Sequence, residues 1–305
     1  MGNITNTTTA ASAVAEYYEK KFLLESKKTF VAEPLGMQGR IPKGRGNTVV
    51  WNRWTLPAAQ TTALTEATDP AGTSLSAALV SATLNQYGDF TRVSDIVDLT
   101  AVDSAVEKAI DLMAYEAALS IDTVVQAEIS ANGTVQYANT AVARNSLRPT
   151  DTYSVTELRK GIKKLHNFAA RPHTNNKYVA MTHPDVIFDL QGDANWINAH
   201  IYTEKGIDNV YNGEVGELYG TKHIMTQNAT VLTNSGSAGT EVYMTFLMGQ
   251  DFFGVSKLQD LSTWVDAPSK NLVLRHASDV SWKTSFAVKT LNDSFGIRIE
   301  SGATQ

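Results

Sequence analysis

The segment from Ala101 to Ser130 constrains the fold of this chain more than any other. Val102, Val106, Ile110, Met113, Ala117, Ile121, Val124, Val125 and Ile129 recur at the spacing of one helix face. Alanine is frequent between them, which favours the helix further. Thr100 with Asp103 reads as a capping box at its start, and Asn132-Gly133 ends it. At ~1.5 Å per residue the segment is a rod of about 45 Å. That is long for a globular domain, where ~11–12 residues is typical.

The chain ahead of the rod has little core of its own. Residues 1–12 are small and polar, and residues 13–28 read as an amphipathic helix with Val14, Tyr17, Tyr18, Phe22 and Leu24 near one face. A helix this short is marginal alone, so it docks either on its own domain or on a neighbouring subunit. A run rich in glycine and basic residues follows, Gly36 to Gly46, and then a strand at Thr48–Leu56. A polar, turn-rich stretch over Thr61–Thr73 separates it from a second strand-like stretch, Ser81–Asp98. Two strands joined by a long polar connection describe an extended, hairpin-like arm. A lone two-stranded ribbon is marginal in water, so it is expected to lie on another surface.

Behind the rod the pattern turns to α/β. A second helix spans Val155 to Ala169, with Ser154 and Glu157 as its capping residues. Val155, Leu158, Ile162, Leu165 and Phe168 form its apolar face. Its other face carries Arg159, Lys160, Lys163 and Lys164, a stripe that could touch nucleic acid and that more often is simply solvated. Tyr178–Met181 is a short apolar strand, and His183-Pro184-Asp185 opens a helix over Val186–Leu190, with proline at its favoured first turn. A helical patch surrounds Trp196–Ile201. Strands follow at His223–Thr226 and Val242–Met248, and Phe252–Val255 extends the same sheet. Strict alternation over Val280–Thr290 marks a half-buried strand, and Phe295, Ile297 and Ile299 mark the last one.

Composition narrows the function classes. Of the 305 residues, 43% are apolar and only 19% charged, so a large core can form and few charges resist burial against neighbours. A net charge of −5 gives no sign of a chain that as a whole wraps nucleic acid. With no cysteine, disulfides, thiolate metal sites and cysteine nucleophiles are excluded. The start, Met1-Gly-Asn-Ile-Thr-Asn, has neither the shape of a secretory signal nor a myristoylation pattern, and no stretch approaches the ~18–20 apolar residues of a membrane span. The six histidines show no metal-ligand spacing, and phosphate loops and nucleophile elbows are absent. No cofactor, metal or catalytic residue is expected. The nearest thing to a site, His183 with Asp185 and Asp189, reads more simply as a strand-to-helix turn.

Several of these segments, in order, resemble one family. Tyr178-Val-Ala-Met-Thr-His183-Pro184-Asp185-Val-Ile-Phe-Asp189-Leu190 is similar to the strand–His-Pro-Asp–helix segment of tailed-bacteriophage major capsid proteins, in the group typified by the coat protein of phage N-four. The stretches Leu158–Asn167 with Ala170-Arg171-Pro172, Tyr211–Gly220 ahead of Asn228-Ala229, Tyr17–Pro34, and the Gly-rich arm are similar too. The resemblance implies an α+β fold of the Hong Kong 97 type. Residues 1–35 would be an N-terminal arm and 36–98 an extended loop over a neighbouring subunit. Residues 99–175 would be a peripheral domain with the 101–130 spine helix, 176–277 an axial domain, and 278–305 strands returning to the peripheral sheet.

It implies a structural subunit that assembles with itself into hexamers and pentamers of an icosahedral shell around double-stranded DNA. The shell would form in the host cytoplasm, with scaffolding, portal and sometimes decoration proteins as partners and no membrane. Some relatives fuse a scaffolding segment at the N-terminus; this chain starts almost at the arm, so a separate scaffold or a removed segment is implied. The type member of the fold crosslinks its subunits. Lys43 lies in the arm here, but no partner asparagine or catalytic glutamate can be matched, so no crosslink is expected. The expected inter-subunit contacts are Val50, Trp51, Trp54 and Leu56, with Arg40, Lys43, Arg45 and Arg53 seeking acidic neighbours, and Tyr17, Tyr18 and Phe22 in the N-terminal arm. Two rivals remain: a non-viral compartment shell of the same fold, and an α/β hydrolase using His183 and Asp185.

Overall fold

In the computed structural model the described residues are 31–304, apart from 43, 45, 56, 65, 67–68, 71, 101–103, 174–175, 202–216, 267, 270–272 and 275, and apart from the side chains of 198–201. The expected helix over 13–28, with Tyr17, Tyr18 and Phe22, lies outside them. So do Lys43, Arg45, Leu56 and Tyr211–Gly216.

A short 3-10 turn at Glu33–Leu35 leads into strand β1 (Met37–Arg40). Strand β2 (Thr48–Trp54) runs out and β3 (Ala77–Thr83) returns beside it, paired from Thr48↔Thr83 to Trp54↔Ala77. After the single residue Leu84 the chain continues as β4 (Asn85–Ser94), then helices α1 (Asp95–Thr100) and α2 (Ala105–Ala131). Next come β5 (Thr134–Tyr137), α3 (Val155–Asn167), β6 (Tyr178–Thr182), α4 (Pro184–Gly192) and α5 (Ala194–Ile201). The remaining strands are β7 (Glu217–Leu218), β8 (Thr221–Met225), β9 (Val231–Leu232), β10 (Val242–Met248), β11 (Phe253–Asp266), β12 (Ala277–Thr290) and β13 (Gly296–Ser301).

They form three sheets. One is four-stranded, β1-β11-β12-β4; one is seven-stranded, β5-β13-β10-β6-β8-β7 with β9 on β10; the third is the β2-β3 ribbon. Strand β10 is buried at every position, because the seven-stranded sheet is covered on both faces. Helices α3 and α4 cover one face, where Leu158, Leu165, Val186 and Leu190 meet Ala180, Leu247, Ile297 and Ile299. Gly161 permits this approach: a Cβ there would lie 2.9 Å from Leu247 Cδ2. On the other face Met181, Met244, Phe246 and Met248 meet Ile121, Val125 and Ile129 of α2, with Phe253, Val255 and Phe286 from the four-stranded sheet.

The rod joins the two sheets. The N-terminal half of α2 packs Val106, Ile110, Met113 and Ala117 on Val280 and Trp282 of β12, while its C-terminal half lies under the seven-stranded sheet. Small buried residues, Ala109, Ala114, Ala117 and Ala118, let the backbone come close. A helix that supports two sheets in turn has to be long, and at 27 residues this one spans about 40 Å.

Several expectations are corrected. The rod starts at Ala105: Ser104 accepts from Glu107 N, while Thr100 closes the separate helix α1 by donating to Ile96 O. Ser154 makes no side-chain cap. Asp193 caps α3 from another segment by accepting from Val155 N at 3.0 Å, and Glu157 turns inward to Gln136 and Asn139. The expected strand over Ser81–Asp98 is two strands and a helix; it changes partner at Leu84, from β2 to β12. Phe253–Val255 does not extend the sheet of β10; it opens β11 in the four-stranded sheet. The last two strands separate, β12 in the four-stranded sheet and β13 between β5 and β10. Each of the two larger sheets therefore draws strands from both sides of residue 277.

Candidate assembly surfaces

The β2-β3 ribbon has two unlike faces. Val49 and Trp51 oppose Ala82 and Val80 on a half-buried face. The other face presents Val50, Trp54 and Leu79, which are 53%, 64% and 72% exposed. The half-buried face belongs to its own subunit. The Trp51 ring lies over Gly254 of β11, so close that a Cβ there would sit 3.0 Å from Trp51 Cε2. Arg53 donates through Nη1 to Leu291 O at 3.3 Å. Arg40, on β1, pairs with Asp260 on β11 at 3.1 Å, both largely exposed.

Of the residues expected to reach a neighbour, Trp51, Arg53 and Arg40 thus find partners in their own chain, and Val50 and Trp54 remain uncovered. The ribbon is fixed at its root, where Leu84 N donates to Asn47 O at 2.8 Å. Strand β3 continues into β4 through that point, so the ribbon extends directly from the four-stranded sheet.

The base of the N-terminal segment is anchored on the middle of the rod. The buried Asp122 carboxylate accepts three main-chain bonds, from Val31 N (2.8 Å), Ala32 N (3.2 Å) and Glu33 N (3.3 Å). Burial still holds this carboxyl above the ordinary aspartate range, against the lowering effect of the three N–H groups. Glu33 is itself buried and paired with Lys257.

Other exposed apolar groups were not foreseen. Ile96, Val97 and Leu99 project from α1, Leu112 and Tyr115 from the outer side of α2, and Val273 and Leu274 from the β11-β12 turn. The signal for Leu112 and Tyr115 was present in the sequence: both fall off the buried stripe of an otherwise regular helix.

The segment around His183 is a turn, as its sequence suggests. His183 Nδ1 accepts from Asp185 N at 3.3 Å and so caps α4, and Tyr243 OH donates to Asp185 Oδ2 at 3.0 Å. His223 is buried among Tyr153 and Trp196, 3.4 Å from Tyr153 OH, and burial pushes its imidazole down to about 4. Among the described residues no group of three His, Asp or Glu is placed to hold a metal ion, and no helix is long and apolar enough to cross a membrane.

With this arrangement in hand, the chain can be compared with known proteins. The profile of a family described as "Phage capsid protein" matches residues 77–268. No curated protein matches by sequence. Among solved structures, the capsid of Ralstonia phage GP4 is similar at TM-score 0.70 and 13% identity, covering 90% of this chain and 93% of that one. The capsid of cyanophage P-SCSP1u is similar at 0.67 and 13%, covering 88% and 87%. A virus-like particle from Pyrococcus furiosus is similar at 0.55 and 11%, covering 94% and 99%. The fold is accordingly α+β and Hong Kong 97-like. The chain belongs to the phage capsid protein family: it is a structural, non-enzymatic component of a bacteriophage virion.

Proposed function

We propose that this subunit closes an icosahedral shell of hexamers and pentamers around double-stranded DNA, with the β2-β3 ribbon lying over a neighbouring subunit. The observation that carries this reading is the outward apolar face of the ribbon, Val50, Trp54 and Leu79, all exposed on one side of a two-stranded element that the described residues leave uncovered there. Grouped exposed apolar side chains mark interaction sites, and a two-stranded ribbon gains stability by packing. Lys43, Arg45 and Leu56 extend the same contact, and Tyr17, Tyr18 and Phe22 contribute a second one from the N-terminal arm. The unit around the seven-stranded sheet stands near the five- and six-fold axes. Scaffolding and portal proteins, and in some shells decoration proteins, complete the assembly in the host cytoplasm.

Shell subunits touch many neighbours, so modest contacts sum; obligate interfaces bury about 2,000–5,000 Å². Replacing residues 48–83 by a short Gly-Ser linker tests the ribbon directly. The body should stay folded and soluble and form no shells. Normal shells from that deletion would refute the assignment.

The fold is shared with a virus-like particle from Pyrococcus furiosus, so the enclosed cargo, DNA or protein, is the part of this reading to test. Nuclease-resistant DNA inside purified particles separates the two.

A further inference from the structure

Helix α3 carries a cationic outer face that the interactions among the described residues neutralise only in part. Its apolar side is turned to the seven-stranded sheet. The exposed positions are Thr156, Arg159, Lys160, Lys163, His166 and Asn167, with no acid among them, and Lys164 is half-buried beside them. This stands out in a chain of net charge −5.

Two ordinary explanations account for part of it. Lys160 is held at 2.7 Å by Glu157, whose carboxylate is buried and also bonded to Gln136 and Asn139. Lys164 and His166 lie in the last turn, where positive charge offsets the helix dipole. Neither explanation reaches Arg159 or Lys163. The Arg159 guanidinium lies 5.5 Å from the centroid of the Tyr219 ring, which props it over the surface without neutralising it. Lys163 has no acidic partner among the described residues. One turn separates the two, about 6 Å, close to the axial rise of two nucleotides on one strand at about 3.4 Å each.

We propose that this face of α3, through Arg159 and Lys163 with Lys160 and Lys164 beside them, holds the phosphate backbone of double-stranded DNA without reading its sequence. The proposal rests on the shell reading only for the identity of the polyanion. The arrangement supplies charge at phosphate spacing and no element that would enter a groove, so sequence should not matter.

The full-length chain and an Arg159→Gln/Lys163→Gln variant are titrated with a short fluorescent duplex of mixed sequence across about 50–200 mM salt. Both side chains are exposed, so the fold should survive. The unaltered chain should bind with a steep salt dependence. The double variant should bind about tenfold more weakly, with a log–log slope smaller by about 2. Lys108→Gln, an exposed cation on α2, should bind like the unaltered chain. No binding by the unaltered chain, no loss in the double variant, or an equal loss from Lys108→Gln would overturn the proposal. Tighter binding of single-stranded RNA or of an acidic polypeptide would overturn the choice of partner. Negative-stain images of the same preparations report shell formation separately, so shells without DNA binding remove this proposal and leave the shell reading standing.

Discussion

At the scale of single residues, the two tryptophans of β2 test the proposed division between folding and assembly. Their sequence context is nearly the same, and only strand register decides their fate, since side chains alternate faces. Trp51 packs on Gly254 of its own sheet, so Trp51→Ala should lower subunit stability by about 2 kcal/mol in urea melts. Trp54→Ala should leave the melt unchanged and impair shell formation. His223 gives a pH signature. Its imidazole is held at about 4 in the folded chain against 6.5 when exposed, so as pH falls the unfolded chain takes up the proton first. The stability tied to His223 is complete above about pH 6.5 and is lost progressively toward pH 4, about 3 kcal/mol in all. His223→Gln should flatten that slope relative to the unaltered chain. Asp122, held above the usual carboxylate range, acts in the opposite sense, and the comparison cancels it. An unchanged slope in His223→Gln would contradict the assignment.

At the scale of elements, legibility followed the range of the interactions. The rod and β12 were readable because their apolar residues repeat at helix or strand period, and β10 because its short run is apolar nearly throughout, as a strand covered on both faces requires. What β12 pairs with was not readable: alternation says that one face is buried, not which sheet buries it. The caps failed for the same reason. Ser154 looks like a local cap, yet the bond to Val155 N comes from Asp193, 38 residues away. Likewise nothing local marks Leu84 as the point where one extended run passes from the ribbon to the four-stranded sheet. Of the residues expected at subunit contacts, Val50 and Trp54 are exposed in the subunit, whereas Arg40 and Arg53 have oxygen partners within the chain. Two tests belong here. Gly161→Val places methyl groups against Leu247 and should cost about 3 kcal/mol, separating α3 from its sheet. Asp122→Ala strands three main-chain N–H groups and should cost about 3 kcal/mol. Proteolysis should then begin near residue 31 before the body unfolds.

At the scale of the whole molecule, one long helix supports two sheets, a ribbon extends from one of them, and apolar groups at the ribbon, α1 and the β11-β12 turn are exposed. We read these groups as contacts for neighbouring subunits, because grouped exposed apolar side chains mark interaction sites. That view follows from the ribbon's uncovered face together with membership of the phage capsid family. It also fits the low share of charged residues in the chain, 19%, because each neighbour contact would have to desolvate such charges. The most direct measurement is negative-stain microscopy of the purified chain beside Trp54→Ala. The account predicts uniform closed shells from the first, and from the second well-folded subunits that assemble poorly or not at all. Discrete monomers or dimers from the unaltered chain under every assembly condition tried, or normal shells from Trp54→Ala together with the ribbon deletion, would contradict it.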